Sequence, residues 1–214
     1  DQALFPIVQG GLYPELRQRS AAGLVEADFP GYAIGGLAIG ESKEQTIEIT
    51  AGTTDILPVD KPRYLMGVGS PEDIVRAVGV GIDMFDSALP TRVARNGALL
   101  TRHGRIDIAK ARYEGDKQAI EEGCCCYACT RFTAGYMHHL FRAKELLGQR
   151  LATLHNLHFM KCLMDDLRQA VMAGYYDDFT RDFLSDYRTT DEKVRLSQKH
   201  QWLNGRNNTG SINH

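Results

Sequence analysis

The sequence predicts an α/β protein: a parallel sheet in its first hundred residues, followed by a helical C-terminal part. Three observations carry this expectation. Four short apolar runs each end in glycine, glutamine or an acid, and stretches of helical spacing separate them. Strands alternating with helices imply crossover connections and therefore parallel pairing. After Pro90 the texture changes to Arg- and Gly-rich segments, a cysteine cluster and a long helical pattern.

Leu4 to Val8 reads as the first strand, ending at Gln9-Gly10-Gly11. A helix follows, with Tyr13, Leu16, Ser20, Ala21, Leu24 and Val25 at helical spacing. Gly31 to Ile34 is the second strand, ending at Gly35-Gly36, and Glu44 to Leu57 the next helix, although β-branched Thr and Ile are dense there. Arg63 to Met66 is the third strand, ending at Gly67-Val68-Gly69. Ser70-Pro71-Glu72-Asp73 has the layout of a helix start: a hydroxyl cap, Pro in the first turn, then acids at the positive end of the dipole. Ile82 to Phe85 is the fourth strand, ending at Asp86. Residues 91–123 are expected to form small strands and loops, Arg105-Ile106-Asp107-Ile108 among them. From about Arg131 to Tyr187 the chain reads helical, with a stripe of Met160, Leu163, Leu167 and Val171 and a stop at Gly174. Leu196 to His214 is polar, Asn-rich and aperiodic, and reads as a loose tail.

Composition bounds the function. The 214 residues are 43% hydrophobic and 24% charged, which suits a folded globular chain rather than a disordered one. A net charge of −2 excludes a wholesale polycation, so any nucleic-acid partner must meet basic residues concentrated locally. No apolar run is long enough to span a bilayer, and no secretory leader is evident. The chain opens at Asp1 rather than Met, as a fragment would. Four of its five cysteines crowd between positions 124 and 129, which suits a reducing compartment, the cytoplasm, better than a disulfide scaffold.

Three features could carry chemistry. Cys124-x-Cys126-x-x-Cys129 with His155 supplies three thiolates and an imidazole, the closed tetrahedral set that holds one structural zinc. Cys125 is expected to point away, and His138, His139 and His158 to be surface or core histidines. Second, the strand ends carry Gln9, Gly35-Gly36, Met66-Gly67 and Asp86. In a parallel α/β barrel, that end lines the active site. Asp86, where a strand leaves the core, is expected to be partly desolvated and able to attack an electron-poor carbon such as a sugar's anomeric centre. Asp83 is the alternative acid, on the opposite face by alternation. Third, Arg92, Arg95, Arg102, Arg105, Lys110 and Arg112, with Asp107 the only acid among them, suit a polyanion such as RNA.

Taken in order, Ile7-Val8-Gln9-Gly10-Gly11, Gly31-Tyr32-Ala33-Ile34-Gly35-Gly36-Leu37-Ala38, Arg63-Tyr64-Leu65-Met66-Gly67-Val68-Gly69, Gly81-Ile82-Asp83-Met84-Phe85-Asp86-Ser87-Ala88-Leu89-Pro90-Thr91-Arg92 and the cysteine–histidine set resemble the tRNA-guanine transglycosylases. These enzymes exchange guanine for a deazaguanine in the anticodon of certain tRNAs. The resemblance runs from about Ala3 to Arg188 and implies the C-terminal half of a (β/α)8 TIM barrel with a C-terminal zinc-binding subdomain. Residues 1–100 would be a partial barrel carrying nucleophile and base pocket, 101–188 the zinc subdomain and C-terminal helices, and 189–214 a loose tail. It further implies that Asp86 attacks the ribose, giving a covalent aspartyl–ribose intermediate. Gln9 and the Gly36 amide would bind the base, the Leu37 carbonyl would meet its 7-aminomethyl group, and Met66 would pack on its face. Arg92 and Arg95 would grip the anticodon loop of a tRNA, and the family suggests a homodimer.

The resemblance implies that queuine-using members, which commonly have glycine near Ile39, need room beyond the 7-aminomethyl group; the branched Ile39 fills it and points to 7-aminomethyl-7-deazaguanine as substrate. Pro6 and Ser87 depart from the family's usual glycine and cysteine, and the polar end from Leu196 does not resemble it. A complete barrel has eight strands, whereas four are found before the cysteines. The expected general acid/base aspartate, a second base-reading aspartate and an aromatic stacking partner all lie in the half not found here. Such a half-barrel would expose strand edges and apolar surface and would not turn over alone. Competing readings are an archaeosine-type enzyme, a non-catalytic partner subunit of the family, a zinc-stapled RNA-binding module and an ordinary barrel glycosidase. Asp86 argues against the two non-catalytic ones.

Overall fold

A computed structural model describes residues 2–189. Its four-stranded parallel sheet comprises β1 (Ile7–Val8), β2 (Tyr32–Ile34), β3 (Arg63–Leu65) and β4 (Met84–Phe85), adjacent in that order. Ile7 is level with Ala33, Ala33 with Tyr64, and Tyr64 with Met84. The crossovers run through α1 (Pro14–Glu26), α2 (Lys43–Thr54) and α3 (Pro71–Gly79). With all four strands parallel, the segments beginning at Gln9, Gly35, Met66 and Asp86 leave the same end of the sheet.

The α/β alternation is as expected, but the hydrogen-bonded strands are shorter than the apolar runs. Leu4 lies ahead of β1 and is 66% exposed. At the start of β4, Asp83 closes the ladder instead of extending it: its carboxylate accepts the Arg63 N–H at 2.8 Å, and its own N–H donates to the Arg63 carbonyl at 2.9 Å. The α1 face is rotated from the one expected. Tyr13 and Leu16 are exposed, and the buried positions are Arg17 and Ala21, because the Arg17 guanidinium binds backbone carbonyls inside the fold.

Elsewhere, helix ends explain themselves locally. Ser42 and Gln45 form a reciprocal capping box at the start of α2. The β-branched density of that helix is accommodated because buried Thr50, Thr53 and Thr54 donate their hydroxyls back to helix carbonyls. At α3 the layout holds but the cap differs. The Ser70 hydroxyl donates to the Asp73 carboxylate rather than accepting an amide, and Lys43 bridges Glu72 (2.5 Å) and Asp73 (2.8 Å).

Past the sheet, residues expected in loops form a further helix, α4 (Leu89–Arg95), with Pro90 in its first turn. The hairpin β5 (Ala98–Thr101) and β6 (Gly104–Asp107) follows, then a 3-10 turn at Ala111–Tyr113 and α5 (Tyr127–Arg131). The stretch read as one helical region is divided into α6 (Ala134–Arg142), α7 (Leu146–Ala173) and α8 (Tyr176–Asp186). The chain breaks at Lys144, whose φ is +59°, and at Gly174, the expected stop, whose φ is +76°. The loose tail expected from 189 onward lies outside the described residues save for Thr189 itself.

Two buried clusters result. One packs the sheet and α3 against the C-terminal part of α7 through Phe159, Leu163 and Leu167. The other gathers Leu99, Ile108, Met137 and the cysteines around the N-terminal part of α7 through Leu151 and Ala152. The expected stripe is right at Leu163 and Leu167, but it continues at Ala170; Val171 is 53% exposed, one position off the buried face.

Between the two clusters lie His155 and Asn156, both fully buried. The Asn156 amide donates to the carbonyls of Pro90 (2.9 Å) and Ala98 (3.0 Å) and accepts the Leu100 N–H (2.9 Å). Asn156→Ala would strip the Leu100 N–H and the Ala98 carbonyl of their side-chain partner, so urea unfolding should show a loss of about 3 kcal/mol, against nearly none for Asn96→Ala on the exposed end of α4.

Candidate active site and metal centre

The strand ends converge. The Gln9 amide lies across Gly35 and Gly36: a Cβ at Gly36, whose φ is +69°, would fall 2.5 Å from Gln9 Oε1. One at Gly35 would fall 2.9 Å from Gln9 Nε2 and 3.4 Å from Met66 Sδ. The left-handed backbone requires glycine at Gly36, whereas a Cβ at Gly35 would also press on Ile7 Cγ2 at 2.7 Å; Gln9, Gly36 and Met66 share one surface as expected. Leu37 differs in that it is buried in the core.

Beneath this surface, α1 inserts Arg17, 2% exposed. Its Nε donates to the Gly11 carbonyl at 2.7 Å and its Nη2 to the Gly35 carbonyl at 2.9 Å, tying together the turns that follow β1 and β2. Burial pulls the guanidinium below its usual pKa, with the Glu41 charge opposing. Above it, Glu41 folds the loop after Gly36 around its own carboxylate. That carboxylate accepts the N–H groups of Ala38, Ile39 (3.3 Å) and Gly40 (3.0 Å) and the Thr46 hydroxyl (2.8 Å). Partial burial works against its charge, but the backbone and Thr46 donors hold its pKa down to about 2. Ala38 is kept at φ +59°, a conformation that costs a non-glycine residue about 1–2 kcal/mol.

Asp86 follows β4 and is exposed, so the expected desolvation is not found. Hydrogen bonds tune it instead. The Tyr64 hydroxyl (2.5 Å) and the Gly67 N–H (2.9 Å) both donate to Oδ1, and together, Tyr64 foremost, they lower the carboxyl's pKa. Asp83 sits at the opposite end of β4, which removes it as the alternative acid. Arg92 and Arg95 are exposed on α4, immediately after Asp86 and Ser87. The rest of the basic stretch is dispersed: Arg102 lines a cavity beside α8, and Arg112 lies over the Tyr113 ring at 4.7 Å.

Sequence reasoning missed Arg17, Glu41 and Tyr64. A charged residue at a position of α1 that faces the sheet was the available signal for Arg17. Nothing local marked the other two, whose partners are backbone amides or a strand neighbour.

The cysteine cluster assembles as expected. Sγ atoms of Cys124, Cys126 and Cys129 lie 3.9, 3.4 and 3.4 Å from His155 Nδ1, and all four ligand atoms fall within 4.8 Å of one another. His155 Nε2 meets the Leu100 carbonyl at 2.8 Å, which fixes the proton on Nε2 and turns Nδ1 toward the sulfurs. Four soft ligands in a buried, closed arrangement suit a metal ion without an open coordination position. Without one, the hydrogen bond from Cys129 brings the Cys126 thiol down to about 3 while the Cys129 thiol is pushed up. Burial opposes a charge on His155, yet its bonds to Cys124 and Cys126 raise it to about 10. Cys125 lies outside the cluster, as expected, and His138 is a core histidine bonded to the Ile108 carbonyl at 2.9 Å.

Because His155 must give up a proton to bind metal, affinity should fall as the pH falls, and Cys126→Ala should remove the ion at neutral pH, as read by metal content per chain. The Glu41 carboxylate is depressed, so the order it gives the loop should be complete above the ordinary carboxylate range and lost as the pH drops toward about 2. Glu41→Gln should remove that order at neutral pH, raising hydrogen exchange at residues 38–40.

Among the described residues, no helix is long and apolar enough to cross a membrane. The family model described as "Queuine tRNA-ribosyltransferase" matches residues 1–189. Curated relatives carrying that name include one from Dehalococcoides mccartyi, 52% identical over 206 residues, covering 96% of this chain and 53% of the relative. Those from Methylobacillus flagellatus and Herpetosiphon aurantiacus are 54% and 49% identical, over 85% and 95% of this chain and 49% and 52% of their own lengths. The chain thus spans about half the length of the curated relatives it matches. With the family model covering all the described residues, the chain belongs to the queuine tRNA-ribosyltransferase family.

Proposed function

We propose that this chain is the nucleophile- and base-binding half of a tRNA-guanine transglycosylase, which exchanges guanine at the anticodon wobble position of tRNA for 7-aminomethyl-7-deazaguanine. The observation that carries the reading is a carboxylate, Asp86, held by Tyr64 and Gly67 at the same sheet end as Gln9, Gly36 and Met66. Both donors engage Oδ1, so Oδ2 is the oxygen that attacks the ribose anomeric carbon as guanine departs. The lowered pKa keeps Asp86 ionised for attack and makes it a better leaving group when the incoming base displaces it. Two displacements at one carbon restore its configuration, the logic of retaining glycosidases. In this scheme Gln9 and the Gly36 amide hold the base edge, the Leu37 carbonyl its 7-aminomethyl group, and Met66 its face.

The parallel sheet is read as four consecutive strands of a (β/α)8 barrel. Its outer strands β1 and β4, with exposed Ile7 (41%) and Met84 (46%), are the edges that the complementary half would cover. The general acid/base is then supplied by that half. Arg92 and Arg95 are suited to the phosphates of the anticodon loop. The metal is taken to be a structural zinc, which braces the C-terminal subdomain without touching the reacting atoms. A cytoplasmic homodimer is the corresponding setting; the free thiols suit a reducing one. A zinc-stapled RNA-binding module or non-catalytic partner subunit has no use for a carboxylate so held. The archaeosine-type and glycosidase readings gain no observation of their own.

In the full-length protein carrying this segment, tRNA and a slow base analogue should give a denaturant-resistant adduct that vanishes in Asp86→Ala; an adduct that persists would overturn the role of Asp86. Tyr64→Phe removes the larger of the influences lowering the Asp86 pKa, so the acid limb of the pH–rate profile should move to higher pH. Ile39, 70% exposed on the loop over the pocket, should restrict bulk beyond the 7-aminomethyl group. Ile39→Gly should therefore shift the preference toward queuine in competition assays.

A further inference from the structure

A second group of soft ligands lies outside the closed metal centre. Cys125, exposed in the cysteine loop, brings Sγ to 3.4 Å from His158 Nε2, and Cys162 brings its own Sγ to 3.5 Å from the same nitrogen. These separations match those in the first cluster, where two sulfurs stand 3.4 Å from His155 Nδ1. His158 and Cys162 are one turn apart on α7, a spacing at which two helix side chains can chelate one ion. Asp166, one further turn along that face, lines with all three a cavity of about 820 Å³ between α7 and α8. Packing does not account for the grouping, since none of Cys125, His158 and Cys162 is buried. The arrangement is also more open than the first, since Cys125 is exposed and His158 and Cys162 are only half-buried.

We propose that Cys125, His158 and Cys162, with Asp166 within reach as an oxygen ligand, form a second, open site for a soft divalent transition-metal cation. Thiolate and imidazole select such an ion over calcium or magnesium. An open cavity leaves coordination positions for water, and the sulfurs must draw in as the ion enters. The ion is consequently held more weakly and exchanges faster than one in the closed centre.

The test is a count of cadmium ions on the full 214-residue chain, kept reduced with a phosphine and titrated under native mass spectrometry. Two ions should bind in succession. Cys162→Ser and His158→Gln, both at partly exposed positions, should lose the later ion and keep the earlier one, whereas Cys126→Ala should lose the earlier. The proposal is overturned if the unaltered chain stops at one ion, or if Cys162→Ser still takes two. It is equally overturned if the reduced chain binds one ion and the unreduced chain is lighter by two hydrogens, with Cys125 linked to Cys162; that pair would then be a disulfide couple.

Discussion

Two neighbouring side chains, His155 and Asn156, hold the rest in place. Both are fully buried midway along α7, and each reaches a different part of the fold. His155 offers Nδ1 to three sulfurs while its Nε2 grips the Leu100 carbonyl; Asn156 saturates backbone groups of Pro90, Ala98 and Leu100. Pro90 opens the helix that follows Asp86, so the metal centre and the proposed nucleophile share a frame only a few bonds long. A buried amide with all its partners met is unforgiving of displacement, since each broken bond strands a polar group away from water. Over its 28 residues, about 42 Å, α7 serves as spine to both buried clusters.

Much of this was legible. Apolar runs ending in glycine, glutamine or an acid located all four strands, most plainly β2, buried at every position, because a buried parallel strand has little else to be made of. Cysteine spacing located the group that could hold a metal ion, because ligand geometry permits few sequence patterns. What escaped was set by tertiary partners. Arg17 is buried in place of Leu16 because carbonyls of distant turns receive it. The pairing of Tyr64 with Asp86 follows from β3 and β4 being neighbours, and the inward turn of Glu41 from a loop that supplies its own donors. Asp86 itself was found for its position, but its tuning was misjudged: hydrogen bonds, not desolvation, set its charge state. His158 passed for an ordinary helix histidine because its two sulfurs arrive from 33 residues upstream and one turn downstream.

The charges around the pocket divide their labour. Arg17 lies below the glycine pair with no carboxylate bound to it directly, so its positive charge is spent on backbone carbonyls. Glu41 spends its negative charge on amides of the loop above. Each therefore fixes the course of the main chain beside Gln9 and the glycine pair. Asp86 is held through Oδ1 alone, and that asymmetry is what the proposed attack through Oδ2 rests on.

The brevity of the outer strands has a consequence of its own. With two residues in β1 and two in β4, each flank offers a newcomer very few free peptide groups. Indiscriminate sheet extension, the usual hazard of an open edge, is therefore poorly rewarded. Whatever docks along β1 must instead be chosen by how it fits exposed Ile7 and the exposed Leu4 that precedes it, apolar relief that only a complementary surface would match.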